Sequence, residues 1–197
     1  DVRIMYSKLF TALGCCLVIF GLIGITKASM MPIKAIIGQH YLEVAWKESL
    51  KTNKLSKPWK SADFYMIGEL TVPKLKISRV ILNSVSGEAM AWSIGRVNNI
   101  GTSSKDMPII LAGHRDSHMQ FMSDLSIGDT IELTMSDGLL KSYEISALEI
   151  TDKPELRISK SMFNSDNIIL TTCWPFNSSI QSSQRYILIA TRKDKMI

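Results

Sequence analysis

The chain reads NIILTTCWPF from residue 167 to residue 176, and this stretch is the strongest single indication of the fold. Its first seven residues are mostly apolar or β-branched, which is typical of a buried strand. Pro175 ends the strand, because proline has no amide hydrogen to donate to a sheet. A second apolar run, RYILIATR, begins at Arg185. An antiparallel return of the chain would set Arg185 beside Cys173.

Five further runs with β-strand character lie upstream and are separated by turn residues. They are MIGELTVPKL (66–75), SRVILN (78–83), MPIILAG (107–113), GDTIELTM (128–135) and KSYEISALEI (141–150). Seven or eight strands in about 135 residues predict a mainly β fold, either a barrel or a sandwich. Helical inserts are predicted around residues 87–94 and 119–125.

The N-terminal part of the chain has a different pattern. Residues 1–8 form a short flank, and residues 9–26 carry no charge. As a helix these 18 residues would extend about 27 Å, which is just long enough to cross a bilayer. We therefore expect an uncleaved transmembrane anchor at 9–26, with a cleaved signal peptide as the alternative.

Residues 27–60 are expected to form a stalk. Apolar side chains recur at helical spacing from Pro32 to about Leu50, which predicts an amphipathic helix that packs on the domain or lies on the membrane surface. A linker that contains Pro58 follows. The main domain is then expected to occupy residues 61–197.

The charge distribution excludes one class of partner. The chain has a net charge of +5 and a pI of about 9.1, which would suggest nucleic acid. Residues 1–60, however, hold nine basic and three acidic residues, whereas residues 61–197 hold fourteen and fifteen. The main domain is therefore not basic, and no nucleic acid partner is expected. Charge alone leaves open the side of the membrane on which the domain lies.

Three side chains form a candidate catalytic set. Two of the three cysteines, Cys15 and Cys16, lie in the apolar N-terminal run, which leaves Cys173. His114 follows the run MPIILAG directly, and Gly113 is expected to let the chain turn there. Each residue alone is more often structural. Together with Arg185 they offer a thiol nucleophile, a proton acceptor and a cation for a developing oxyanion, which is the equipment of acyl transfer.

Several segments resemble sortases, a family of cysteine transpeptidases. LAGHRD at 111–116, ILTTCWPF at 169–176 and RYILIA at 185–190 are similar to that family's His, Cys and Arg blocks, and VPKLKI at 72–77 is similar to its first strand pair. GHRDSH, FMSDLSIGD and the stalk most resemble the Gram-negative, marine proteobacterial type called class GN. Class D, which shares GHRD and the aromatic-Pro-Phe after the cysteine, is the second placement.

The resemblance implies an eight-stranded β-barrel with Cys173 as nucleophile, His114 as general acid and base, and Arg185 as the residue that holds the substrate or oxyanion. It implies a single N-terminal anchor in the inner membrane, with the catalytic domain on the periplasmic side. It also implies cleavage of an LPXTG-like C-terminal sorting signal through a thioester, which an amine or water resolves. The substrate would be one partner protein with a von Willebrand A-type domain, and no cofactor or metal is expected.

Two positions depart from the family's Thr-Leu-X-Thr-Cys pattern and its surroundings. Ile169 replaces the first threonine, while Thr172 is retained beside the nucleophile. Trp174 stands where tyrosine is frequent, so it is expected to change the groove wall and the substrate preference. Asp116 is expected either to orient a histidine ring or to pair with Arg115. The residues expected either to bind the substrate or to support the site are Arg115, Asp116, His118, Thr172 and Trp174.

Two other functions compete with this one. His114 and His118 are four residues apart, and on a helix that spacing can hold zinc with Asp116 or Cys173 as a third ligand, as in a zinc hydrolase. The positive charge of Arg115 inside the motif argues against it. The third possibility is a membrane-tethered β-barrel that binds a partner without chemistry, which predicts a buried and unreactive Cys173.

Overall fold

The computed structural model describes residues 2–97, 107–152, 165–178 and 182–193. The chain divides into two compact units, residues 1–40 and residues 41–197. One long helix, α1 (Val2–Thr52), accounts for the first unit and the beginning of the second.

The range from Pro32 to about Leu50 is helical as predicted, but it is part of the longer helix α1, which begins at Val2 and not at Pro32. A proline removes a single amide donor from a helix, and the turns on both sides of Pro32 continue regardless. No helix in the part of the chain that the structure describes has the length and apolar character that a bilayer crossing requires.

The last turns of α1 belong to the core of the second unit. Leu42, Ala45 and Trp46 are buried and cluster with Phe64 and Met66. The indole Nε1 of Trp46 donates a hydrogen bond to Glu69 at 3.2 Å. Of the two roles considered for this helix, residues 42–50 therefore show packing on the domain. The compact unit accordingly begins at residue 41 rather than at the expected boundary, residue 61.

Eight strands lie in the described parts of the second unit and close into a barrel in the order β1-β2-β3-β4-β7-β8-β6-β5. They are β1 (Met66–Val72), β2 (Ile77–Leu82), β3 (Ile94–Arg96), β4 (Ile109–Ala112), β5 (Thr130–Met135), β6 (Leu140–Thr151), β7 (Asn167–Cys173) and β8 (Arg185–Arg192). The pairs β2–β3 and β4–β7 are parallel, and the remaining pairs are antiparallel. The eight-stranded barrel that the resemblance implies is confirmed, and each of the seven predicted runs overlaps one of its strands.

Short helices lie in three of the connections, those between β1 and β2, β2 and β3, and β4 and β5. Helix α2 (Gly87–Trp92) begins after Ser86, whose hydroxyl accepts a hydrogen bond from the amide of Ala89 at 3.1 Å. Single 3-10 turns occupy Pro73–Leu75 and Gln120–Asp124. Both helical inserts are thus near their predicted places, but the first ends early, because residues 94–96 form β3.

Strands β4, β7 and β8 are buried on both faces near their centres. One face joins the main barrel core, to which Leu111, Leu170 and Leu188 belong. The opposite face carries a separate apolar cluster of Ile110, Ile169, Ile187 and Ile189. Burial on both faces explains why these strands read as continuous apolar runs instead of alternating sequences.

Gly95 of β3 has no room for a side chain. A β-carbon there would lie 2.0 Å from the carbonyl oxygen of Ser84, whereas at Gly87 nothing lies within 4 Å. We predict that Gly95→Ala lowers the free energy of unfolding by at least about 3 kcal/mol, because backbone must move to relieve the overlap. The control Gly87→Ala should change it by less than about 1 kcal/mol. Urea unfolding measures both, and equal small effects would contradict the placement of β3.

Candidate active site

The parallel pairing of β4 with β7 brings His114 and Cys173 together. In this pair Ala112 lies opposite Thr171. His114 and Cys173 each lie two residues further on, so they leave the same edge of the sheet side by side. Both line an open pocket of about 380 Å³, together with Arg115, Asp116 and Ser182.

Cys173 is partly exposed and is not in a disulfide. A non-catalytic barrel would have predicted a buried thiol at this position. Instead the thiol faces a pocket that also holds an imidazole, so a bound carbonyl group has access to it.

Arg185 is the direct partner of Cys173 in the antiparallel pair of β7 and β8, as the sequence predicted. Its guanidinium, however, is directed at its own loop. The Nη1 atom donates to the carbonyl oxygens of Ser182, Ser183 and Gln184 at 3.4, 3.2 and 3.1 Å. The backbone of Arg185 is therefore at the site, while its cation is held beside the site by main-chain acceptors.

Thr172 is a structural connection between the two catalytic strands. It is 3% exposed, and its hydroxyl donates to the carbonyl oxygen of Gly113 at 2.8 Å. The bond joins the residue before Cys173 to the residue before His114. A direct substrate contact, one of the two roles expected for Thr172, does not fit this burial.

Gly113 is required for space and not for an unusual turn. Among the described residues the glycines with positive φ are Gly128 and Gly138. A β-carbon on Gly113 would lie 2.9 Å from Cγ of Met119. The predicted turning role of Gly113 is therefore wrong, and its missing side chain instead lets Met119 pack under the His114 loop.

Arg115 and Asp116 form the ion pair that was one of the two expectations for them. Arg115 Nε lies 3.2 Å from Asp116 Oδ1, and the two side chains are 10% and 67% exposed. Arg115 also donates to the carbonyl oxygens of Pro175 and Ser178, at 3.0 and 2.5 Å. No sequence pattern indicated these two contacts, because they join residues 60 or more positions apart.

His118 faces helix α2 and not the pocket. Its Nε2 donates to the carbonyl oxygen of Ala91 at 3.2 Å. Burial lowers the pKa of His118, the hydrogen bond to Ala91 opposes this, and the nearby Arg79 and His114 lower it further. The ring is therefore neutral at pH 7.

The zinc hypothesis needs His114 and His118 on one face of a helix. Residues 115–119 form turns instead, and His118 is bonded to Ala91. Across the described ranges, no group of three or more His, Cys, Asp or Glu side chains is placed to hold a metal ion. The geometry gives the zinc alternative no ligand set.

Trp174 belongs to an aromatic cluster that the sequence analysis missed. It stacks on Tyr186 with ring centroids 5.6 Å apart and meets Phe176 edge-on at 5.5 Å. Phe176 and Tyr186 pack against the barrel core, where burial raises the pKa of Tyr186. Trp174 is not among the side chains that line the pocket, so its expected place in the groove wall is not supported. The sequence did contain a pattern that could have indicated this cluster: an aromatic residue directly follows both Cys173 and Arg185.

A thiol and an imidazole in one pocket, with an arginine on the adjoining strand, have the composition of a cysteine acyl-transfer site. The comparisons agree with this class. A model of the sortase domain matches residues 70–193. Sortase D from Bacillus subtilis (strain 168) is 29% identical over 125 residues, which cover 64% of this chain and 63% of that protein.

Solved sortase structures share the fold. Sortase A from Corynebacterium diphtheriae matches with a TM-score of 0.56 and 18% identity, over 80% of this chain and 84% of that one. The Clostridium perfringens Sortase D5 transpeptidase matches with a TM-score of 0.52 and 19% identity, over 75% and 88% of the two chains.

The family model covers more than half of the chain, and the chain belongs to the sortase family. It spans 63% of the length of the curated Bacillus relative.

Thr172 and Thr171 allow a matched test of the bond between the catalytic strands. Both are buried, but the Thr171 hydroxyl has no hydrogen-bond partner among the residues that the structure describes. We predict that Thr172→Val lowers the free energy of unfolding by about 1–3 kcal/mol, because the buried Gly113 carbonyl loses its donor. Thr171→Val should be neutral or stabilising. Equal losses in the two variants, measured by urea unfolding, would exclude this role for Thr172.

Proposed function

We propose that this protein is a membrane-anchored cysteine transpeptidase that cleaves an LPXTG-like C-terminal sorting signal and transfers the protein to an amine acceptor or to water. The observation that carries the proposal is that Cys173 and His114 line the same pocket, with Arg185 paired to Cys173 across β7 and β8.

In the first half of the reaction, His114 accepts the thiol proton and the Cys173 sulfur attacks the carbonyl carbon of the signal's threonine. The carbonyl oxygen takes the negative charge. Arg185 stabilises it after exchanging its loop carbonyls for the oxyanion. His114 then donates its proton to the departing glycine amine, the peptide bond breaks, and a thioester remains on Cys173.

In the second half, an amine or water attacks the thioester carbon and gives its proton to His114. The carbon–sulfur bond breaks, the new amide or acid leaves, and the proton returns to the thiol. No step requires a cofactor or a metal ion. His114 thus acts alternately as base and acid, as an acyl exchange between two amines demands.

We place the protein in class GN, supported by GHRDSH and the stalk sequence, with a von Willebrand A-type protein as substrate. Class D is the alternative placement, and the match to a sortase D supports that alternative. Substrate range distinguishes class GN from class D. A class GN enzyme should process the sorting signal of its one partner protein and reject otherwise similar signals.

We further propose that residues 9–26 anchor the chain in the inner membrane and that the catalytic domain lies on the periplasmic side. The support comes from the sequence: residues 9–26 carry no charge, and the resemblance to sortases implies an N-terminal anchor with the catalytic domain outside the cytoplasm. The expressed chain should stay with membranes through an alkaline wash, since its apolar side chains lie in lipid. Cys173 should react with a membrane-impermeant maleimide once the outer membrane is opened. Release by the wash, or labelling only after lysis of the inner membrane, would contradict the proposal.

Intact mass analysis with a signal peptide tests the chemistry. The wild type should gain the mass of the acyl fragment, and Cys173→Ala should gain none, because only the thiol forms the thioester. We expect His114→Ala to acylate about 10²–10⁴-fold more slowly. Arg185→Lys should lose roughly 10²-fold, because a single ammonium does not reproduce the planar fork.

The other two cysteines provide the matched control. A chain with Cys15→Ser and Cys16→Ser should form the acyl-enzyme at the wild-type rate. An adduct on Cys173→Ala, or an adduct lost from the double-serine chain, would refute Cys173 as the nucleophile.

A further inference from the structure

Arg115 spans the gap between the two loops that meet at the active site. Its own loop carries His114, and its Nη1 and Nη2 atoms donate to the carbonyl oxygens of Pro175 and Ser178 in the loop after Cys173, at 3.0 and 2.5 Å. Its Nε atom donates to Asp116 at 3.2 Å. All three guanidinium nitrogens therefore have an acceptor within the protein, and the side chain is only 10% exposed.

Other contacts support the same connection. Gln120 donates to the side chain of Asn177 at 3.3 Å, and Thr172 donates to the carbonyl oxygen of Gly113 at 2.8 Å. The bonds of Arg115 differ from these because their donor is charged, and a hydrogen bond from a charged donor is stronger than a neutral one. Arg115 also reaches two acceptors three residues apart along the chain, so it fixes the orientation of the loop as well as its distance.

We propose that Arg115 is a positioning residue for the acyl transfer. It holds the loop after Cys173 against the loop of His114, and in this way sets the distance and angle between imidazole and thiol. The proposal rests on the proposed function, in which His114 exchanges a proton with Cys173. A shift of about 1 Å between reacting groups costs roughly 10²-fold in rate, so the connection has a direct effect on catalysis.

The hydrogen bonds of Arg115 to the protein also predict which kinetic constant its substitution changes. All three of its nitrogens have acceptors within the protein, so a positioning role predicts that Arg115 does not bind the sorting signal, although its side chain lines the pocket. Loss of the connection should therefore lower kcat for acylation and leave KM within about twofold. A substrate-binding arginine would give the opposite pattern, with a raised KM.

The test compares three full-length variants with the wild type. Arg115→Lys keeps the charge but cannot bond the two carbonyls in parallel. Arg115→Gln keeps an uncharged donor with a shorter reach and serves if the lysine variant does not fold. Arg192→Lys is the matched control, since Arg192 is exposed and ends β8 on the side away from Cys173.

Rates are expressed per folded molecule, with the folded fraction of each variant measured by circular dichroism, so that unfolded protein does not count. We expect kcat for acylation of the signal peptide to fall about 10–100-fold in Arg115→Lys and Arg115→Gln, with KM unchanged. Arg192→Lys should match the wild type. Amide hydrogen exchange at residues 176–178 should accelerate in the Arg115 variants only, a readout that does not depend on activity.

The outcomes are distinct. The role of Arg115 is overturned if the wild type forms the acyl-enzyme and Arg115→Lys has an unchanged kcat. It is also overturned if amide exchange at residues 176–178 is unchanged in the Arg115 variants. Either result leaves the proposed function intact. A raised KM with an unchanged kcat assigns Arg115 to substrate binding and also overturns the proposal. No acyl-enzyme on the wild type with any signal peptide refutes the proposed function, and the positioning role with it.

Discussion

The parallel hydrogen bonding between β4 and β7 is the constraint on which the site depends. Antiparallel neighbours would place the ends of the two strands at opposite edges of the barrel, whereas parallel neighbours place them at the same edge. The register from Ile109 and Ile168 to Ala112 and Thr171 therefore determines where His114 and Cys173 emerge. The two faces of these strands pack in different apolar clusters, so a slip by one residue would move every side chain into the other cluster and disrupt the packing of both.

Strand β8 and contacts at the strand ends and in the loops complete the site. β8 returns antiparallel to β7 and places Arg185 opposite Cys173. Thr172 joins the ends of β4 and β7, and Arg115 extends the connection into the loops beyond. Arg185 is the exception in this rigid arrangement, because its guanidinium contacts carbonyl oxygens of its own loop. The mechanism therefore requires one movement, that of the arginine side chain toward the oxyanion.

A mainly β fold was predictable because most strands are apolar and rich in β-branched residues, and the resemblance to sortases then favoured a barrel over a sandwich. Placing Arg185 beside Cys173 needed only the antiparallel return of the chain. Strand β3 was not predictable, since its three residues include Gly95 and give no periodicity. The contacts of Arg115 and the aromatic cluster of Trp174 depend on tertiary structure that local sequence does not encode. The helix predicted from Pro32 begins upstream instead, at Val2, because proline disfavours a helix locally but does not prevent one.

The central claim is that His114 and Cys173 share one site. It is tested by NMR of the chain with Cys15 and Cys16 replaced by serine and with ¹⁵N-labelled histidines, recorded before and after alkylation of Cys173. The account predicts that the ring signals of His114 shift on alkylation, while those of His40 on helix α1 do not. Intact mass analysis confirms that alkylation is complete. If the His114 signals are then unchanged, the two side chains are apart, which would contradict a shared site.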